Sequence, residues 1–165
     1  MGVVAFLLKG QVSERRNYQI ELRIVILHIK EVGNGMINTY GLQLKPPIEK
    51  NKVVEVETKL GITFPNDYIE FLSYSNGAEG SIGENYLILW SIEDIIELNE
   101  AYCVTDFAEG IVLFGSDGGN EAFAFDTRKN ETEIVTIPFI GMDLSEIKTC
   151  SKTFNGFLQY LLNAN

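Results

Sequence analysis

The residues best placed to do chemistry lie between Ile111 and Asp126, in the run IVLFGSDGGNEAFAFD. A serine and three carboxylates, Ser116 with Asp117, Glu121 and Asp126, surround a glycine-rich turn. Ser116 makes a poor nucleophile, because GSDGG lacks the glycine two residues before serine that a nucleophile elbow needs. The only histidine, His28, stands far away in an apolar stretch. A Ser–His or Cys–His pair would depend on it, and a lone histidine there reads as structural. Phosphate binding is also poorly served. No Lys-Ser or Lys-Thr follows the glycines, and the turn leads into a strand rather than a helix N-terminus. The carboxylate spacing misses the alternating oxygen pattern of a calcium loop. Paired carboxylates could run glycoside chemistry, but with 23 acidic residues such pairs arise by chance. The expectation is no catalytic residue, no cofactor and no metal.

The elements around this turn are legible. Ile111 to Phe114 is an apolar run long enough for a buried strand. Gly115, Gly118 and Gly119, with Asp117 and Asn120, tolerate positive φ and make local hydrogen bonds, as a turn requires. Beyond it the side chains alternate: Glu121, Phe123 and Phe125 on one face, Ala122, Ala124 and Asp126 on the other. Either the small residues face a covering helix while the phenylalanines fill a core, or the reverse. Alternation leaves both open.

Composition bounds the rest. A chain of 165 residues predicts one domain. A net charge of −10 argues against nucleic-acid binding, which needs Lys and Arg. It suits a basic partner, or simple solubility. Six Lys and Arg against three Glu give residues 1–45 a net charge of +3, leaving −13 for the remainder. Cys103 and Cys150 lie too far apart for a short metal-ligand pair and are expected to be free, buried thiols in a reducing compartment. No apolar run reaches membrane-spanning length, and MGVVAFLLKGQ lacks the basic start and cleavage site of a signal peptide. The expected location is cytoplasmic, with no membrane contact.

In chain order, Val3–Leu8 and Ile20–His28 suggest two strands of an N-terminal β-rich extension, residues 1–45. Pro46-Pro47 is a stiff joint to the main domain, residues 46–165. Val53, Val56 and Leu60 share one face of a helix from about Glu49 to Leu60, stopped by Gly61. ITFPNDYIEFLSYSNG predicts a second helix, with Pro65 at its first position, Asp67 in its first turn, and Asn76-Gly77 ending it. Asn85–Trp90 reads as a strand. Ser91 and Asp94 form a capping-box pattern for a helix carrying Ile92, Ile95, Ile96 and Leu98. Glu133–Pro138 is a further strand, and 139–144 is irregular. A final helix starts near Ser151 or Thr153 and presents Phe154, Phe157, Leu158, Leu161 and Leu162. This order predicts an α+β domain: one antiparallel or mixed sheet with helices packed on it.

LGITFPNDYIEFLSYSNG (Leu60 to Gly77) resembles the first signature of the SUKH superfamily, which includes the fungal Smi/Knr cell-wall-synthesis regulators and many bacterial proteins. GSDGGNEAFAFDTR (Gly115 to Arg128) is similar to its second signature, IPFIGMDLSEI (Ile137 to Ile147) to its third, and SKTFNGFLQYLL to its closing helix. The match covers about Glu49 to Leu162. Asn120 stands where family members often carry a third glycine, and Asn is the substitute best able to keep that backbone. The resemblance implies a central, mostly antiparallel sheet, helices around it, and a cleft. It implies no known catalysis. Bacterial members are mostly regarded as immunity proteins that neutralise toxins, often nucleases.

The expected function is therefore that of a non-enzymatic immunity protein occluding a toxin with a basic surface. The chain is expected to be a monomer or weak dimer. A non-catalytic adaptor of a housekeeping complex is the alternative, and an enzyme built on carboxylates the third reading. Candidate contact residues follow the turns and cleft rims: Asn76, Gly77, Glu84, Tyr86, Trp90, Asp117, Asn120 and Glu121. Each also has a purely structural reading: Asn76 and Gly77 as a helix cap, Trp90 as core or cleft packing.

Overall fold

The glycine-rich hairpin lies inside a sheet that has seven strands among the described residues. The computed structural model describes residues 42–164. The strands expected over Val3–Leu8 and Ile20–His28 fall outside the described residues. The strands are β1 (Leu42–Leu44), β2 (Ala78–Ile82), β3 (Asn85–Leu89), β4 (Ile111–Ser116), β5 (Glu121–Asp126), β6 (Glu133–Pro138) and β7 (Lys148–Ser151). They lie in sequence order, and every neighbouring pair is antiparallel. The helices are α1 (Lys50–Leu60), α2 (Asn66–Leu72), α3 (Ile92–Ala101), α4 (Val104–Phe107) and α5 (Phe154–Asn163). The architecture is α+β, as the element order predicts.

Both faces of the β4–β6 region are covered. Phe123 and Phe125 point to the face that carries Phe64, Tyr68, Phe154 and Phe157 from α2, α5 and the loop before α2. Ala122 and Ala124 point the other way, against Val104 and Ala108 around α4 and Met142 beyond β6. Alanines suit this second layer because short side chains let a small covering element approach closely. On the first face Tyr68 is the hub of an aromatic core. Its ring centroid lies 5.3 Å from Phe64, 5.2 Å from Phe125 and 5.0 Å from Phe154. Phe114 stacks on Phe125 at 4.3 Å. Each such buried ring contributes roughly 2–3 kcal/mol through area removed from water.

Gly115 is not part of the turn. It sits within β4, where a side chain would place Cβ 2.3 Å from the Ile88 carbonyl oxygen of β3. Its bare backbone is what lets β3 and β4 pair at Leu89 and Gly115. A register shift between Leu113 and Gly115 accompanies this approach.

Several boundaries differ from the sequence expectation. α2 ends at Leu72, not at Asn76-Gly77. Ser75 leaves the helix because its hydroxyl accepts from the Lys45 N–H at 3.0 Å and also meets the Gly77 carbonyl, tying this corner to the residues after β1. Pro65 is the N-cap rather than the first helical residue. The capping box at Ser91 does not form. Asn76 supplies the cap instead, accepting from the Ile92 N–H at 2.8 Å, while the Ser91 hydroxyl accepts from Lys45 Nζ. β2 and β7 were not expected, since AEGSI and KTCS carry too little apolar pattern to read as strands. Cys150 is half-buried, and burial pushes its thiol up to about 11. Cys103 is exposed, against the expectation of two buried thiols.

Candidate binding face

Strand register decides which residues meet. Gln43, Glu79 and Ile88 face one another across β1, β2 and β3, as do Ser81 and Tyr86. Ile88 continues the row to Ser116, and Ser116 to Ala122. This is the alanine face of the sheet. Over β4 to β6 it lies beneath α4 and Met142. Over β1 to β3, Gln43, Glu79, Ser81 and Tyr86 are exposed. Half of one sheet face is thus open among the described residues.

Tyr86 is fixed on this open half. A Cβ at Gly118 would lie 2.9 Å from its Cδ1 carbon, so the ring rests on the tip of the β4–β5 hairpin. Its hydroxyl donates to Glu79 Oε1 at 3.0 Å. The accepting carboxylate raises the Tyr86 phenol above its ordinary value, with a smaller push from desolvation. Asp117 shapes the hairpin tip, its Oδ1 accepting from the N–H groups of Gly119 at 2.7 Å and Glu121 at 3.1 Å. Glu121 opens β5, and its Oε2 is buried without a hydrogen-bond partner. The Asn120 carbonyl accepts from the Phe139 N–H at 2.9 Å, which joins this tip to the segment after β6.

An aromatic row runs along the same side. Trp90 stacks on Tyr102 at 6.3 Å with rings 8° apart, and Tyr102 lies 4.9 Å from Phe139. Tyr102 is exposed, as are the neighbouring Phe107 and Ile140. Trp90 packs against both hydrophobic clusters and is half-buried.

The structure thus brings together Tyr86, Asp117 and Asn120 at and beside the hairpin tip, whereas the Glu121 side chain turns to the other face with Phe123 and Phe125. Glu84 is exposed in the β2–β3 turn, two residues from Tyr86. Asn76 and Gly77 serve packing. Asn76 caps α3, and its amide donates to Glu93. Gly77 is buried with φ of +105°, and a Cβ there would come 2.7 Å from the Leu89 carbonyl oxygen. Two residues of the face escaped sequence reasoning, Glu79 and Tyr102. Glu79 lies in an unrecognised strand, and Tyr102 stood at a fading helix end.

Charge divides the domain. Between Lys59 and Arg128 the sequence holds no Lys, Arg or His, yet thirteen Asp and Glu. Of these thirteen only Asp126 is in a described ion pair, with Arg128; the other pairs are Lys52 and Lys59 with Glu55, Lys129 with Glu133, and Lys152 with Glu131. None of the described basic side chains pairs with Glu79, Glu84, Asp117 or Glu121. Among the described residues, no group of three His, Cys, Asp or Glu could hold a metal ion, and no helix is long and apolar enough to cross a membrane.

Comparison with known proteins agrees with this architecture. The chain is similar to the uncharacterized protein YnaB of Bacillus subtilis (strain 168), with 35% identity over 125 residues, covering 73% of this chain and 81% of that protein. A family model, SMI1 / KNR4 family (SUKH-1), matches residues 47–160, the stretch that holds α1 to α4, the first turns of α5 and all strands but β1. By that match the chain belongs to the SMI1 / KNR4 family (SUKH-1).

Proposed function

We propose that this protein is an immunity protein: it binds a protein toxin with a basic surface and neutralises it by occlusion, without chemistry of its own. One observation carries the reading. The open sheet half and its hairpin rim hold carboxylates, Glu79, Glu84 and Asp117, that no cation of the described residues pairs with. Uncompensated acid on one face costs folding energy through self-repulsion and is recovered when a basic partner docks. The exposed aromatic side chains Tyr86 and Tyr102 supply the apolar anchors that such interfaces use. In this reading the protein acts in the cytoplasm, where a toxin delivered from outside would reach its target.

The test begins with a tagged pull-down from the native cell at low and high salt, with bound proteins identified by mass spectrometry. The expected result is a basic toxin domain released at high salt, whose activity is lost on recombination with one equivalent of this protein. Salt dependence follows from screening of the facing charges. Recovery of a multi-protein housekeeping assembly, with no toxic component, would favour the adaptor reading instead.

A further inference from the structure

We infer that the open face recognises arginine, not positive charge alone: the Tyr86 ring and the Glu79 carboxylate form a platform for a guanidinium group of a basic protein partner. The inference rests on the neutralising reading above and specifies its recognition chemistry.

Tyr86 is 42% exposed, yet it is not free to swing. Gly118 supports the ring from one side, and the bond to Glu79 holds its hydroxyl at 3.0 Å. That bond uses Glu79 Oε1, so the carboxylate is held at the rim of the ring, and no donor among the described residues takes Oε2. A guanidinium is flat. It stacks on a tyrosine face while its N–H fork reaches a carboxylate beside the ring. A lysine ammonium answers the charge but cannot stack. Ile88 continues the same face along β3, Trp90 packs just beyond the strand's end, and both offer apolar surface to the methylene stem of an arginine. Charge complementarity selects the occupant, since no cation of the described chain pairs with Glu79 and the surrounding sequence is wholly acidic.

The experiment titrates the full chain with two decapeptides of equal charge, one arginine-rich and one lysine-rich, by calorimetry. Trp90 is the only tryptophan, so its fluorescence reports occupancy of the same face. The expected result is roughly two- to fivefold tighter binding of the arginine peptide. Tyr86→Phe keeps the stacking ring but releases Glu79, so the preference narrows without vanishing. Tyr86→Ala abolishes it while leaving a residual, salt-sensitive affinity, and circular dichroism checks that this variant folds. Glu79→Gln, at an exposed position, weakens arginine binding and covers the case in which Tyr86→Ala does not fold. Equal affinity for the two peptides overturns the inference but leaves a basic partner standing. An arginine preference that survives both Tyr86→Ala and Glu79→Gln also overturns it. If neither peptide binds, the inference falls, and the toxin pull-down alone decides the neutralising reading.

Discussion

The side-chain amide of Asn99 pairs with both backbone groups of Leu113, donating to its carbonyl at 2.8 Å and accepting from its N–H at 2.9 Å. The amide thus copies the edge of a neighbouring strand. β3 pairs with β4 only at Ser116 and Gly115, and the Phe114 carbonyl takes the Trp90 N–H. From there α3 replaces β3 as the partner of β4. Leu113 is fully buried, so both of its backbone groups need partners. Asn99→Ala leaves two buried groups unpaired and is expected to cost about 2–3 kcal/mol. Asn99→Asp keeps an acceptor for the N–H but faces a carboxylate to the carbonyl, so it should be at least as damaging. Urea denaturation of both variants measures this. A loss below about 0.5 kcal/mol would show that water or a shifted backbone replaces the amide.

Asp67 links the two helices of the aromatic core. Its Oδ2 accepts from the N–H of Asn155 at 2.9 Å and from the Asn155 side-chain amide at 3.0 Å. The carboxylate of α2 therefore caps the first turn of α5, next to Thr153, whose hydroxyl accepts from the Gly156 N–H. A negative charge there also complements the helix dipole. Asp67→Ala is expected to lower stability by about 1–2 kcal/mol. Asn155→Ala should cost less, because the backbone half of the contact survives. The double variant should lose less than the sum of the two. Strict additivity in denaturation would mean that the contact contributes nothing.

Much of this could be read in the sequence, but not these links. α1, α3 and α5 announce themselves through apolar residues at helical spacing, and β4, β5 and β6 through buried runs and alternation. β2 and β7 do not, because a strand held by ladder bonds to its neighbours needs little apolar pattern of its own. Asp67 reads locally as a first-turn acid, yet its main partner lies 88 residues away. Asn76 reads as the end of α2 but caps α3. Of the binding face, Tyr86 and Asp117 were legible as residues near turns. Glu79 was not, because its place depends on the register of an unrecognised strand.

Tyr68 carries the one buried tyrosine hydroxyl of the described residues that has no hydrogen-bond partner. Its side chain is fully enclosed by the phenylalanines of the core, and burial pushes the phenol far above its ordinary value. An unpaired hydroxyl in an apolar site costs desolvation without return. Tyr68→Phe removes it and keeps the ring, so stability is expected to hold or to rise by about 1 kcal/mol. Thermal unfolding of the variant reads this out. A fall of more than about 1 kcal/mol would show that a buried water serves the hydroxyl.

Asp126 gives the domain a pH-dependent component of stability. It is almost wholly buried at the end of β5 and accepts from Arg128 Nε at 2.9 Å, Arg128 Nη2 at 2.7 Å and the Arg128 N–H at 3.1 Å. The hydrogen bonds from the Arg128 side chain are the largest cause holding its carboxyl below the ordinary value, and they outweigh the upward push of burial. A carboxyl depressed in the folded state contributes stability that is fully present above its unfolded value, about pH 4, and is lost as pH falls through the folded value. Urea denaturation from pH 7 down to pH 2 should therefore show a gap between the parent and Asp126→Asn that is constant above about pH 5 and narrows below about pH 4. The carboxylates paired with Lys152 and Lys129, Glu131 and Glu133, should leave that gap unchanged, since both proteins share them. A gap that stays the same down to pH 2 would mean that Asp126 titrates alike in the folded and unfolded chain, and that its contacts with Arg128 add nothing.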